Sequence, residues 1–259
     1  MSIDVDPEWW KELFDEVYLT TDARSVCDDE VTRKEIDLIR ELIPLSTDQE
    51  ILDLCGGHGR HSRELALRGF GKCTVFDFSQ FLIDRGREEA KEAGMAIRFL
   101  QGDARKTGLP PERFDHVLVL GNSLGYIASP DGDRDILSEA MRLMKSGGWL
   151  LLDIVNGEVL KDGFRPLAWH EIGEDIVVCR QRSLEGDIVC TRELVVSKTS
   201  GLVKDSTYSL RIYDPDSMRL LLSKLGFSNI NVIRDFSPFR KTGDFGFMNF
   251  RMIVIAQKP

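Results

Sequence analysis

The segment 51–59, ILDLCGGHG, constrains this chain more than any other part of it. Three aliphatic residues and one aspartate make a short apolar run that breaks at once into Gly56, Gly57 and Gly59. Such a run reads as a buried strand that leaves through a tight turn, where residues without Cβ let the backbone bend and approach a ligand. Helical periodicity follows from about Arg60 to Arg68. A helix starting on such a turn points its first N–H groups at whatever sits above the strand.

The rhythm repeats downstream. Apolar runs at 73–76, 97–100, 115–120 and 149–155 read as strands, with helices at 80–93 and 137–144 and a Lys145–Ser–Gly–Gly148 break before the last run. Strands without polar alternation, separated by helices, indicate a parallel sheet covered on both faces, an α/β doubly wound fold. Ahead of it, aromatic and aliphatic residues from Trp9 to Tyr18 predict a helix over 8–18, and Val31, Ile36, Ile39 and Leu42 predict another over 29–43, stopped by Pro44. After Asn156 the pattern changes to partly alternating strands at 170–172, 176–182, 188–197 and 206–213, an antiparallel insertion. A helix at 214–225 and strands at 230–233 and 250–256 close the chain.

Three acids fall at strand ends. Asp53 precedes the glycine turn, Asp77 follows Gly59 by 18 residues at the end of the second strand, and Asp103 ends the run IRFLQGD. In open α/β sheets ligands bind at the carboxyl ends of strands, where an acid after the second strand reaches a ribose diol. Each feature alone has a plain reading, a turn former or a helix cap; together they mark a nucleotide-type cofactor site. A nicotinamide fingerprint needs a third small residue at position 62, where Ser62 stands, and makes no use of an acid upstream of the glycines. The phosphate-loop pattern GxxxxGK[ST] is absent from the sequence.

The segment 51–69 resembles motif I of the class I S-adenosylmethionine (SAM)-dependent methyltransferases, and TVFDFSQFLIDRGR is similar to their acidic second-strand motif. RFLQGDARKTGLPPERFDHVLVLGNSLGYI and LMKSGGWLLLDI are similar to the third to fifth strand regions, so the resemblance spans roughly 46–156. It implies a Rossmann-like, mostly parallel seven-stranded sheet with an antiparallel last strand, plus the antiparallel β insertion after the fifth. The divisions are a helical lid over 1–45, a core over 46–157, a substrate cap over 158–213 and the core's end over 214–259. The cofactor implied is SAM, held by Asp53, Cys55, Gly57, Gly59, Asp77, Phe78, Asp103, Ala104, Gly121 and Asn122, with Tyr18 closing over it. One departure stands out: Cys55 occupies the place of the first glycine of the usual GxGxG.

The implied reaction is methyl transfer by in-line displacement to a nitrogen or oxygen of a small-molecule acceptor. His170 and Tyr126 are the catalytic candidates, and Asn156, Trp169, Arg211 and Tyr213 the substrate-side candidates. Each also has an ordinary packing or surface reading, as does the aromatic N-terminal segment as a lid. The alternatives are an RNA or protein methyltransferase, or a protein that binds SAM or its product without transfer. A net charge of −9 disfavours a polyanionic nucleic acid partner, and the NPPY or DPPY tetrapeptide of amino-group methylation of bases or glutamine is replaced by GNSLGY. Five scattered cysteines without a CxxC pair and four histidines without HExxH predict neither disulfides nor a metal site. No apolar run reaches the roughly 18 to 20 residues of a membrane span. The expectation is a cytoplasmic protein, monomer or homodimer.

Overall fold

The computed structural model describes residues 3–21, 28–236 and 251–259. A 3₁₀ turn, Trp9–Lys11, is followed by α1 (Glu16–Thr21) and α2 (Asp29–Leu42). The core then alternates β1 (Ile51–Leu54), α3 (Arg60–Leu67), β2 (Cys73–Asp77), α4 (Gln80–Glu92), β3 (Arg98–Gln101), β4 (Phe114–Val119), α5 (Pro130–Leu143) and β5 (Met144–Val155). A short α6 (Gly157–Asp162) leads to β6 (Leu167–Ile172), β7 (Ile176–Glu185), β8 (Ile188–Ser197) and β9 (Gly201–Arg211). Then come α7 (Pro215–Lys224), β10 (Ser228–Phe236) and β11 (Arg251–Gln257).

Seven strands form one sheet in the order β10-β11-β5-β4-β1-β2-β3. β1 pairs in parallel with β2 and β4, and β11 runs antiparallel to both β5 and β10. The expected mostly parallel sheet with an antiparallel last strand is therefore present, and β6 to β9 form a separate antiparallel four-stranded sheet.

The two-residue period of the strands sorts the core into two layers. Leu52, Leu54, Val117, Val119, Leu150 and Leu152 pack on one face against Leu137, Ala140 and Leu143 of α5 and Met218 and Leu222 of α7. Ile51, Leu118, Leu151 and Ile253 pack on the other against Ile36 and Ile39 of α2 and Leu65 of α3. Every residue of β1 is buried, which is why the strand carries no polar alternation.

Differences from the expected elements are local. The helix expected over 8–18 is a 3₁₀ turn and α1, because the Asp15 carboxylate accepts the Tyr18 N–H and starts a new helix there. α5 starts well before position 137, where the Ser129 hydroxyl caps it by accepting the Asp131 N–H. β5 begins at Met144, which pairs with Phe114 across a register shift ahead of Gly147 and Gly148. Phe250, expected to open the last strand, lies outside the described residues.

Gly86 lets α4 lie directly on the glycine turn. A Cβ there would stand 2.5 Å from the His58 carbonyl oxygen and 2.5 Å from Phe99 Cε1. Gly86→Ala should lower stability by about 1–3 kcal/mol through overpacking, even though alanine favours a helix by about 1 kcal/mol. The check is a lower urea midpoint with an unchanged m value.

Candidate active-site cleft

The backbone after β1 turns through left-handed conformations at Cys55 (φ 59°), Gly57 (φ 58°) and Gly59 (φ 74°). Cys55 thus keeps the conformation a glycine would take, at a cost on the order of 1–2 kcal/mol for a residue with Cβ. Gly56 next to it has no room for a side chain: a Cβ would lie 2.6 Å from Asp53 Cγ. Asp53 itself is buried beneath the turn, where its carboxylate accepts the Ser62 hydroxyl at 2.9 Å. Gly59 caps α3, and a Cβ on it would meet Phe99 and Val75 at 2.9 Å.

Asp77 ties the first two strand tips together. Its Oδ2 accepts the Gly57 N–H and its Oδ1 the Ser79 N–H, both at 2.8 Å. Each oxygen keeps a lone pair, and the carboxylate lines the cleft. Packing inside the protein pushes its pKa up to about 6, against the two backbone N–H donors that favour the charged form. Asp103, at the third strand tip, is chelated by Arg105 through Nε (3.0 and 3.1 Å) and Nη2 (2.6 Å). That guanidinium holds its carboxyl below the usual range.

Two connected hollows open above these tips. The first, about 690 Å³, is lined by Asp77, Phe78, Asp103, Ala104, Trp10 and Ile136 among others. Its walls are aromatic, with Trp10 and Phe78 4.7 Å apart edge to face and the Arg105 guanidinium 5.4 Å over the Trp10 ring. The second, about 1180 Å³ with its open mouth included, is lined by His58, Arg60, His61, Leu120, Gly121 and Asn122, and by Arg180, Arg182, Glu193, Lys204 and Tyr208 of the insertion. Phe14, Tyr18, Cys55, Gly57, Leu82, Ser123 and Tyr126 line both.

The N-terminal segment roofs this junction. Trp9 stands 5.1 Å from the Tyr126 ring and 5.6 Å from the Tyr208 ring, and Phe14 lies 5.0 Å from Tyr18. Polar clamps hold its middle: the Ser79 hydroxyl donates to the Phe14 carbonyl at 2.9 Å, and Lys204 donates to the Leu13 carbonyl and the Asp15 carboxylate.

Of the sequence-predicted residues, Tyr18, Cys55, Gly57, Asp77, Phe78, Asp103, Ala104, Gly121, Asn122 and Tyr126 line the hollows, while Asp53 and Gly59 support the turn from behind. His170, Trp169, Asn156, Arg211 and Tyr213 line neither hollow. Trp169 is 68% exposed on the far face of the insertion, beside Leu167 and Cys179. His170 is buried on β6 opposite Val178. Asn156 caps α6 through the Glu158 and Val159 N–H groups.

Arg211 and Tyr213 instead brace the loop that carries Tyr126. Arg211 donates to the Ala128 carbonyl, and the Tyr213 hydroxyl donates to Asp133, whose other oxygen accepts the Gly125 N–H. Position along the chain pointed to the right loop but to its supports.

Sequence reasoning passed over the insertion's inward face. Arg180 and Arg182 are two apart on β7, Glu193 sits opposite Arg180 on β8 and accepts from it at 2.6 Å, and Lys204 and Tyr208 share one face of β9. The signal was present as charged residues placed two apart in strands where they alternate, on the same face, with the apolar residues Val178, Val189, Val195 and Leu210. Burial keeps the two imidazoles beside the turn neutral, His58 pushed down to about 3 and His61 lowered.

A strand-tip cleft with a left-handed glycine turn and acids at three successive tips defines a class I SAM-dependent methyltransferase. Residues 51–148 match the family model described as a methyltransferase domain, and the chain is a methyltransferase of that class. It is 29% identical over 192 residues to a glycine/sarcosine N-methyltransferase of Aphanothece halophytica, covering 73% of this chain and 69% of that one. The CcbJ methyltransferase of Streptomyces caelestis superposes with a TM-score of 0.73 at 19% identity, covering 88% of this chain and 89% of that one. The SAM-bound amino pentose methyltransferase CalS10 of Micromonospora echinaspora superposes at 0.69 and 16% identity, covering 96% and 99%.

The raised Asp77 carboxyl makes stability depend on pH. Between an unfolded value near 3.8 and a folded value of about 6 the native state binds a proton that the unfolded chain does not. Its contribution is complete below about pH 4 and is lost as pH rises through 6. Urea unfolding across that range should show wild type losing stability relative to Asp77→Asn as pH rises.

Proposed function

We propose that the chain transfers a methyl group from SAM to a nitrogen of a small-molecule acceptor, the oxygen of a similar acceptor being the second choice. The observation that carries the reading is the Asp77 carboxylate, which is oriented by two backbone donors and still faces the cleft. The other residues fit the same cofactor. Gly57, left-handed at φ 58°, lines both hollows with no side chain of its own, which leaves the floor of the cleft open beside Leu82. The aromatic slot at Phe78 and Trp10 suits a purine, and Asp103 with the Ala104 backbone suits its polar edge.

When bound, SAM supplies a methyl group already activated on a cationic sulfonium. The chain's residues then have three tasks: to hold the nucleoside, to exclude water and to align the acceptor. Asp77 holds the ribose hydroxyls. Trp9, Phe14 and Tyr18 shut the roof against solvent. Tyr126, at the junction of the two hollows, orients the acceptor where the donor half meets the acceptor half. Neutral His58 and His61 add no like charge beside a sulfonium. Nitrogen is preferred because three relatives matched over 73%, 82% and 80% of this chain are named glycine/sarcosine N-methyltransferases. The insertion's wall of Arg180, Arg182, Glu193, Lys204 and Tyr208 offers both signs of charge to a small polar acceptor.

Calorimetry with S-adenosylhomocysteine (SAH) and a labelled-methyl assay over small amines and hydroxy compounds test the reading. Asp77→Ala removes the anchor for two hydroxyl donors, and hydrogen bonds to a charged group are worth about 1.5–3 kcal/mol each, so SAH should bind more weakly by at least about 100-fold in a folded variant. Unchanged affinity would remove the ribose assignment. Tight SAH binding with no labelled small-molecule product would remove the transfer assignment.

A further inference from the structure

Behind the cleft lies a cluster of buried charges that the methyl-transfer reading leaves unused. Glu35 of α2 is 3% exposed. Its Oε2 accepts from Arg60 Nη1 and from His61 Nε2 (2.9 Å), and its Oε1 accepts from Arg251 Nη1 at 2.7 Å. Arg251, on β11, donates through Nε to Asp153 Oδ1 at 2.6 Å. Asp153 in turn accepts the Gly121 N–H with Oδ2 (3.1 Å) and the Asn122 N–H with its backbone carbonyl (2.9 Å). Two carboxylates thus balance two guanidiniums in the interior.

We infer that Glu35, outside the cleft, is a positioning residue for the cleft's methyl-donor end, fixing Arg60 on one wall and, through Arg251 and Asp153, Gly121 and Asn122 on the other. The inference rests on the SAM reading above. Three features carry it. Arg60, Gly121 and Asn122 line the same hollow, and Arg60 Nη2 lies 3.9 Å from where a Cβ on Gly121 would stand, so the two walls meet there. Gly121 and Asn122 are consecutive left-handed residues (φ 67° and 62°), a backbone that persists only where its surroundings over-determine it. Arg60 donates to Thr32 and Glu35 from Nη1, and its Nη2 lies on the cleft side beside Gly121.

Buried ion pairs are rarely the most stabilising way to fill a core, since apolar residues of similar volume pack as well or better. Four charges joined in one chain instead give direction: each bond fixes an orientation that a hydrophobic contact leaves free. Glu35 itself is held by a rigid support, because α2 is capped by Asp28 and packs through Ile36 and Ile39 on the sheet.

The test compares two ligands that differ at the methyl-donor end. SAH carries the homocysteine part, whereas methylthioadenosine keeps the nucleoside and lacks the amino-acid group. In Glu35→Gln, SAH should bind at least about tenfold more weakly, as for one lost charge-assisted hydrogen bond, while methylthioadenosine stays within about twofold of wild type. Arg60→Lys keeps the charge balance but loses the planar fork, and should show the same split in the same direction. Equal losses for both ligands, no loss for either, or failure of both variants to fold would overturn the positioning role in favour of a purely structural one. Wild-type protein that binds neither ligand would instead overturn the SAM reading itself, so the two failures are distinguishable.

Discussion

The hydrogen bond from the Gly57 N–H to the Asp77 carboxylate is the interaction on which the site depends. It joins the turn after β1 to the tip of β2 and fixes both at once. The turn is then closed from beneath by Asp53 and from the side by Gly86 of α4, neither of which tolerates added volume at Gly56 or Gly86. A short strand, a left-handed turn and a helix start are each common; the shared carboxylate makes them a single rigid floor. Its raised pKa is the physical trace of that placement, since a group oriented toward a cleft yet packed among protein atoms loses the water that would stabilise its charge.

The remainder of the cleft is brought in by segments remote in sequence. The roof comes from residues 9–18, clamped by Ser79 on one side and Lys204 on the other. The far wall of the second hollow comes from the inward face of the insertion, where Arg180 and Glu193 pair directly across β7 and β8. The back is braced by Glu35, Arg251 and Asp153, from a helix near one end of the chain, the last strand and the fifth. Each contribution is polar at its contact point, and polar contacts set orientation where apolar ones set only proximity.

The outcome for His170 and Tyr126 shows how far chain position carries. Both were expected to act on substrate, and Tyr126 lies at the junction of the two hollows. His170, opposite Val178 on the face of the insertion that carries Arg180, is buried on β6 and lines neither hollow. Tyr126 follows a core strand by a few residues, and such a loop must emerge at the strand tips. His170 stands on the edge strand β6, and which part of that sheet's inner face reaches the cleft is set by how the sheet packs on the core, which no local pattern encodes. Arg180 and Arg182, on the neighbouring strand β7, carry the alternation that would have marked the inward side.

The sequence by itself determined the α/β core, because strands buried on both faces must be apolar at every position and helices between them must alternate at the helical period. It also determined the strand-tip floor of the cleft, since the glycines and the acids at 53, 77 and 103 stand at fixed distances from strands that align them. Only the tertiary structure decided the wall that the insertion gives the cleft and the bracing behind it. Those residues meet through the packing of one sheet on another and through ion pairs spanning up to 216 positions, as between Glu35 and Arg251. The spacing of such partners along the chain follows no period, and their recognition needs the fold that brings them together.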